Sequence, residues 1–258
     1  MKLNDNKNIF CSVSSGYSSV MMAIKLREWY PDHNIINVMA NTSKERIESL
    51  EFMDRCDKYY NLNLVWIEAI INQEKNKGTD FKITSYRDLK VDGEIMEEGI
   101  KKYGIPSKVN KWCTRELKLV PLIKYADSIF RKDSYSVAVG LRADEFDRVR
   151  KDFKTNNVFY PLMDYKVKSK DRNRFWSKQP IKLNIKAYEN NCDYCFQKSN
   201  RKLMTMIVEE NESKKNEEEK RYDWWQRMID EYGAIPKPTS KSYNDLQKQN
   251  GGQMTFYR

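Results

Sequence analysis

The sequence predicts an α/β protein: a parallel twisted sheet with helices on both faces, followed by a C-terminal helical extension. Short apolar runs suited to buried strands, at Asn8–Val13, Ile35–Met39, Asn63–Ile71 and Ser134–Gly140, are separated by stretches with helical periodicity. Each of the first two runs passes through small or polar residues into a helical stretch, the pattern of a parallel sheet covered on both sides. Beyond residue 205 the strand pattern stops, and a charge run leads to an amphipathic segment. These shifts divide the chain into 1–205, an α/β domain with a cysteine-rich site, and 206–258, a charged linker, amphipathic helix and polar tail.

Asn8–Val13 (NIFCSV) is apolar and ends in small residues, so it reads as a buried strand. The loop Ser14–Ser19 follows, and Val20, Ala23, Ile24 and Arg27 then recur at helical spacing until Pro31 and Asp32 end the helix. Ile35–Met39 is a second strand, and Thr42 or Ser43 is placed to cap a helix beginning near Lys44. Residues 72–110 are polar and loop-like until Ile95–Tyr103, a helix closed by Gly104 and Pro106. Pro121 suits the first turn of a further helix. Val158–Met163 reads as a short extended piece, and helices are expected around Asp171–Ser177 and after Cys195. Trp224, Trp225, Met228, Ile229 and Tyr232 share one face of the C-terminal helix, which is expected to dock on the main domain; the exposed-looking tryptophans could also form a partner surface.

The chain has 258 residues, 40% hydrophobic and 33% charged, a balance that argues against a disordered or collagen-like protein. Its longest apolar runs are much shorter than the ~20 residues of a membrane-spanning helix, and residues 1–10 carry no secretory signal pattern. A cytoplasmic location without membrane contact is therefore expected. Five cysteines, an odd number, fit a reducing compartment with free or metal-bound thiols. The net charge is +10, and residues 101–132 hold nine Lys/Arg against Glu116 and Asp127, a local +7 that would attract phosphates of a nucleotide or nucleic acid.

Three segments carry candidate chemistry. Small residues at Ser14–Ser19 would let a phosphate approach backbone N–H groups at a helix start, although a serine-rich loop can equally be a plain helix cap. No Gly-Lys-Ser/Thr follows, so this is not a Walker loop. Gly140 to Arg150 lies just past a strand end, where open parallel sheets bind ligands; Arg142 can contact a phosphate bidentately, and Asp144 and Glu145 can orient the arginines or bind Mg²⁺. Cys192 and Cys195 form a CxxC pair that Cys113 could join, giving a [4Fe–4S] cluster with one open iron or a Zn²⁺ site with a fourth ligand. Cys11 and Cys56 read as core residues.

Taken in order over residues 8–205, these segments resemble the phosphoadenosine phosphosulfate reductase family, within the adenine nucleotide alpha-hydrolase-like (PP-loop) superfamily. The resemblance rests on Ser14-Ser15-Gly16-Tyr17-Ser18-Ser19, on Ala40-Asn41-Thr42 with Glu48-Ser49-Leu50-Glu51-Phe52, and on Lys111-Trp112-Cys113-Thr114 with Leu117-Lys118. Gly140-Leu141-Arg142-Ala143-Asp144-Glu145, Tyr160-Pro161-Leu162, Phe175-Trp176 and Asn191 to Phe196 complete it. It implies a nucleotide site formed by Ser14, Ser15, Gly16, Tyr17, Ser18, Ser19, Asn41, Thr42, Gly140, Arg142, Asp144 and Arg148. It also implies a metal site at Cys113, Cys192 and Cys195, and catalytic roles for Cys113, Lys118 and Arg142.

The departures from the family pattern shape the functional expectation. Ser15 replaces a glycine, Tyr17 sets a large ring where a small or basic residue is usual, and Trp112 stands where iron–sulfur reductases have a second adjacent cysteine. No cysteine follows Cys195, so the thiolate that attacks the sulfonyl sulfur in the reductases has no counterpart. The expectation is an ATP-dependent enzyme that adenylates a nucleic-acid or nucleoside substrate and transfers sulfur to it, using ATP, Mg²⁺ and a three-cysteine cluster. A sulfur donor or partner protein is implied, and a homodimer is left open. The alternatives are a sulfonucleotide reductase of unusual form and a non-catalytic adenine-nucleotide-binding module.

Overall fold

The structure is a computed structural model that describes residues 7–149, 157–189, 192–213 and 220–233. In chain order its elements are β1 (Asn8–Val13), α1 (Tyr17–Trp29), β2 (Asn34–Asn41), α2 (Ile47–Tyr60), β3 (Val65–Ile70), β4 (Asp80–Thr84), α3 (Glu94–Tyr103), α4 (Trp112–Thr114), α5 (Val120–Ile129), β5 (Tyr135–Val139), β6 (Val158–Phe159), α6 (Pro161–Asp164), α7 (Ser169–Ser177), α8 (Asn200–Ser213) and α9 (Arg221–Tyr232). The sheet runs β4-β3-β2-β1-β5-β6. Every neighbouring pair is parallel except β3–β4. The strand order reverses at β1, which lies between β2 and β5, so the loops after these strands open a crevice at one edge of the sheet.

Alternation along β1 accounts for the two covered faces. Ile9, Cys11 and Val13 enter a core with Val20, Met22 and Leu26 of α1 and Leu50, Met53 and Cys56 of α2. Phe10 points the other way, into a core with Leu122, Tyr125 and Ala126 of α5. A third core stands beyond the end of β3. There Ala69 and Ile71 meet Ile95, Met96 and Ile100 of α3, Trp112, Tyr194, and the inner faces of α8 and α9. Trp224 and Trp225 are buried in this core. The sequence expectation of an exposed tryptophan surface is therefore corrected: the period that looked like a partner face is the face by which α9 docks.

Three further differences have local causes. α2 begins at Ile47 rather than near Lys44, because Arg46 is still extended (φ −64°, ψ 141°) and takes the N-cap position. Pro161 opens a short helix where the sequence suggested an extended piece, as its fixed φ allows at a first helical turn. The 72–110 region contains β4, an edge strand with mostly exposed side chains and hence no apolar signature. Pro121 lies in the first turn of α5, but α5 continues directly from α4 through a π-helical stretch, Arg115–Leu119. Such a stretch accommodates the N–H that proline lacks. The polar tail from Pro236, residues 214–219 of the charge run, Arg150 and Asn191 lie outside the described residues. No helix among the described residues is long and apolar enough to cross a membrane.

Candidate functional site

The loop after β1 is closed by its own side chain. The Ser14 backbone N–H donates to Ser19 Oγ at 2.9 Å, and Ser15 is buried beneath. Gly16 caps α1 in an extended conformation without a side-chain hydrogen bond, so the first N–H groups of α1 keep their donors for a ligand or water. Gly140, at the end of β5, presses on this turn: a Cβ there would stand 2.8 Å from Ser19 Cα. Arg142 then reaches across, donating through Nη1 to Ser18 Oγ at 2.9 Å and through Nε to Asp144 at 2.9 Å, with Glu145 Oε2 also 2.9 Å from Nη1. Asp144 also accepts the Ser169 N–H at 3.2 Å. Burial pushes the Asp144 carboxyl up, but Arg142 and that N–H outweigh it and hold the group below the usual range. Arg148 pairs with Glu145 from the exposed side. A phosphate placed here would meet Arg142 already bound to two carboxylates and would have to displace at least one of them.

Tyr17 is placed otherwise than a ligand-binding residue would be. Its ring stacks on Trp176 at 4.6 Å between centroids and meets Phe52 edge-on at 5.5 Å. Its hydroxyl accepts the Leu183 N–H, and its carbonyl accepts the Trp176 indole N–H, both at 2.9 Å. The Tyr17 ring thus ties the Ser14–Ser19 loop to α7 and the segment after it.

The segment after β2 serves two separate purposes. Asn41 is fully engaged within the fold: Nδ2 donates to Glu68 at 2.8 Å and to the Lys90 carbonyl at 2.7 Å, and Oδ1 accepts the Ser43 N–H at 3.1 Å. Its side chain therefore shapes the turn and has no donor left for a nucleotide. Thr42 donates from Oγ1 to Glu45 Oε2 at 2.6 Å and lies 3.6 Å from Cys192 Sγ. Lys118 completes this group, 3.2 Å from Glu45 Oε1 and 3.9 Å from Cys192 Sγ. Burial alone would raise the Glu45 carboxyl, yet Lys118 and the Thr42 donors hold it below its ordinary value. Burial also works against the Lys118 ammonium, but Cys192, Glu45 and Cys113 around it keep its pKa above that of a free lysine. Desolvation dominates at the thiols, pushing Cys192 up to about 12 and Cys113 up to about 11.

Cys113 sits in the first turn of α4, and Cys195 is near enough to reinforce the rise in its pKa. The CxxC loop is held in place by the Asp193 N–H donating to the Lys44 carbonyl at 2.6 Å and by the Trp225 indole donating to the Asp193 carbonyl at 3.0 Å. The fold therefore draws Cys113, Cys192 and Cys195 into one neighbourhood around Lys118. Their chemistry, three thiols beside a cation, suits a thiophilic metal. Their spacing does not: among the described residues no three His, Cys, Asp or Glu side chains are gathered closely enough to hold one ion. Trp112, beside Cys113, is a core residue whose indole donates to the Gly104 carbonyl at 2.8 Å and whose ring fills the space over Gly99. Cys11 and Cys56 are buried in the main core, as their surroundings in the sequence suggest.

Glu45 was invisible to motif reading, because Thr42-Ser43-Lys44-Glu45 has the form of a helix cap. The basic stretch 101–132 is not one cationic face. Lys101 pairs with Glu97, Arg115 with Glu116, and Lys124 with Asp80. Lys102 donates to the Asn72 and Lys77 carbonyls, and Lys118 belongs to the thiol group. Lys108, Lys111, Arg131 and Lys132 remain exposed.

No family model matches the chain. The chain is 28% identical over 169 residues to the uncharacterized nin region protein ORF290 of Escherichia phage lambda, an alignment covering 64% of this chain and 57% of that protein. The chain thus spans a little over half the length of the curated relative it matches.

Proposed function

We propose that the chain is an adenine-nucleotide-dependent enzyme that adenylates an oxygen of its substrate and lets a sulfur nucleophile displace the AMP. In the first step the substrate oxygen attacks the α-phosphorus of ATP. The α–β anhydride bond breaks, and pyrophosphate leaves with the bonding pair. In the second, a hydrosulfide ion from an external donor attacks the carbon bearing the adenylate; a C–S bond forms as the C–O bond breaks, and AMP leaves. The α1 N–H groups and Arg142 would bind the phosphates, and Lys118 would hold the anionic sulfur beside Cys113, Cys192 and Cys195. A nucleic-acid or nucleoside acceptor is the class this reading favours, approached through the exposed lysines of 101–132.

The observation that carries the reading is the contact of the Ser14–Ser19 turn with the Gly140–Glu145 loop at the carboxyl edge of parallel strands, with Thr42 and the thiol group following the adjacent strand β2. The test is a pyrophosphate-release assay with ATP and RNA or nucleosides under anaerobic conditions, with iron, zinc and sulfide measured on the same preparation. Release that depends on the acceptor supports the reading. Metal with sulfide would mean that the three thiols draw together around a cluster when it is loaded. The packing of Tyr17 favours a second reading, a nucleotide-binding module without turnover. Tight ATP binding with no pyrophosphate from any acceptor would establish that second reading and remove the first.

A further inference from the structure

A cavity of about 750 Å³ opens between the start of α2, the Val91–Asp92 turn and helices α8 and α9. Its size falls in the range of small-molecule sites. Five cationic and five acidic residues line it, so its wall has no formal charge excess. Half of these charges are committed to each other. Arg46 donates to Glu48 and Glu189, and Arg221 donates to Glu210 at 2.9 Å and Asp193 at 3.3 Å.

Lys44 makes no ion pair of this kind, although the Asp193 and Asp92 carboxylates of the same wall act on its charge. The residue is only 7% exposed, lines the cavity, and holds its ammonium 4.3 Å from the centroid of the Trp224 ring. No acceptor among the described residues takes a hydrogen bond from its Nζ. The arrangement is built rather than incidental. Gly93 adopts φ +97°, and a Cβ there would stand 2.5 Å from the Trp224 ring, so glycine is what lets the ring come under Lys44. The Lys44 carbonyl is fixed by the Asp193 N–H at 2.6 Å. The ammonium opens to the cavity, where the oxygens of an anion would replace water as its hydrogen-bond acceptors.

We propose that this cavity binds a small molecule bearing a single phosphate or carboxylate group, whose oxygens accept hydrogen bonds from the Lys44 ammonium. The balanced charge of the wall disfavours a polyanion such as a nucleic-acid backbone. The site is separate from the nucleotide reading and does not depend on it.

The test uses the full chain carrying Arg142→Ala, which weakens phosphate binding at the strand edge. Thermal unfolding is followed against inorganic phosphate and, separately, acetate, at ionic strength matched with chloride. One of the two anions should raise the midpoint saturably by several degrees, and which of them does so identifies the ligand group. Adding Lys44→Met should abolish that shift while leaving the ligand-free midpoint equal or higher. In the unsubstituted protein the same anion should slow acylation of the Lys44 amine at least tenfold, read by peptide mass spectrometry; this arm needs no substitution at Lys44. An equal shift in the Lys44→Met protein, or no shift and no protection with either anion, would overturn the proposal.

Discussion

Replacing Gly140 with alanine tests whether the two strand-end loops share one surface. Gly140 is not in the left-handed region, so alanine meets no backbone penalty there. The obstacle is space: the new Cβ would stand 2.8 Å from Ser19 Cα and 3.2 Å from Ser19 N, both backbone atoms. Restoring an ordinary contact requires the start of α1 to retreat by about 0.6 Å, an overpacking strain that costs about 2 kcal/mol. That lowers the folding equilibrium by roughly thirtyfold. The displacement falls on the Ser14–Ser19 turn and the Arg142–Ser18 contact, so nucleotide affinity should drop further than a uniform loss of stability explains. Urea unfolding gives the first quantity, and calorimetric titration with ATP at a temperature where both proteins are fully folded gives the second. Wild-type stability together with wild-type affinity in Gly140→Ala would refute the argued contact.

Other consequences follow from single sites. Trp112→Cys, which would set two cysteines side by side, should cost about 3–5 kcal/mol through loss of a buried indole, measured by urea unfolding, and should add no metal-binding capacity. Tyr17→Phe removes the hydroxyl that accepts the Leu183 N–H and should cost about 1 kcal/mol in the same assay. Glu210 is pushed up by burial, but Arg221 and Tyr194 hold it below the usual carboxylate range. Its stabilising effect is therefore complete above the unfolded carboxyl pKa of about 4.3 and fades as pH falls through the lower folded value. The gap in unfolding midpoint between wild type and Glu210→Gln should narrow steadily below that pH, and a gap that stays constant would contradict the assignment. Under native conditions Cys113 should be alkylated well before Cys11 and Cys56, which lie in the core; mass spectrometry of timed samples shows the order.

The strands of the sheet were legible because β1, β2, β3 and β5 are buried and rich in branched residues, leaving their apolar runs uninterrupted. β4 was not, because an exposed edge strand with sequence DFKIT carries no such run. Helical periodicity located α9 correctly but could not say what its apolar face covers. Only the coordinates show Trp224 and Trp225 against Gly93 and the CxxC loop. At the site, motif order identified the loops that meet at the strand ends. It assigned side-chain roles less well, since Asn41 and Tyr17 spend their polar groups inside the protein. Glu45 and Lys44 escaped notice because four residues that look like a helix cap give no sign that they face a thiol on one side and a cavity on the other.

Backbone hydrogen exchange with and without ATP, read by mass spectrometry, addresses the proposed nucleotide site most directly. Slowed exchange confined to the peptides spanning 14–19 and 140–145, and lost in Arg142→Ala, is the predicted result. Unchanged exchange at both loops under saturating ATP, or protection centred on another part of the molecule, would contradict it.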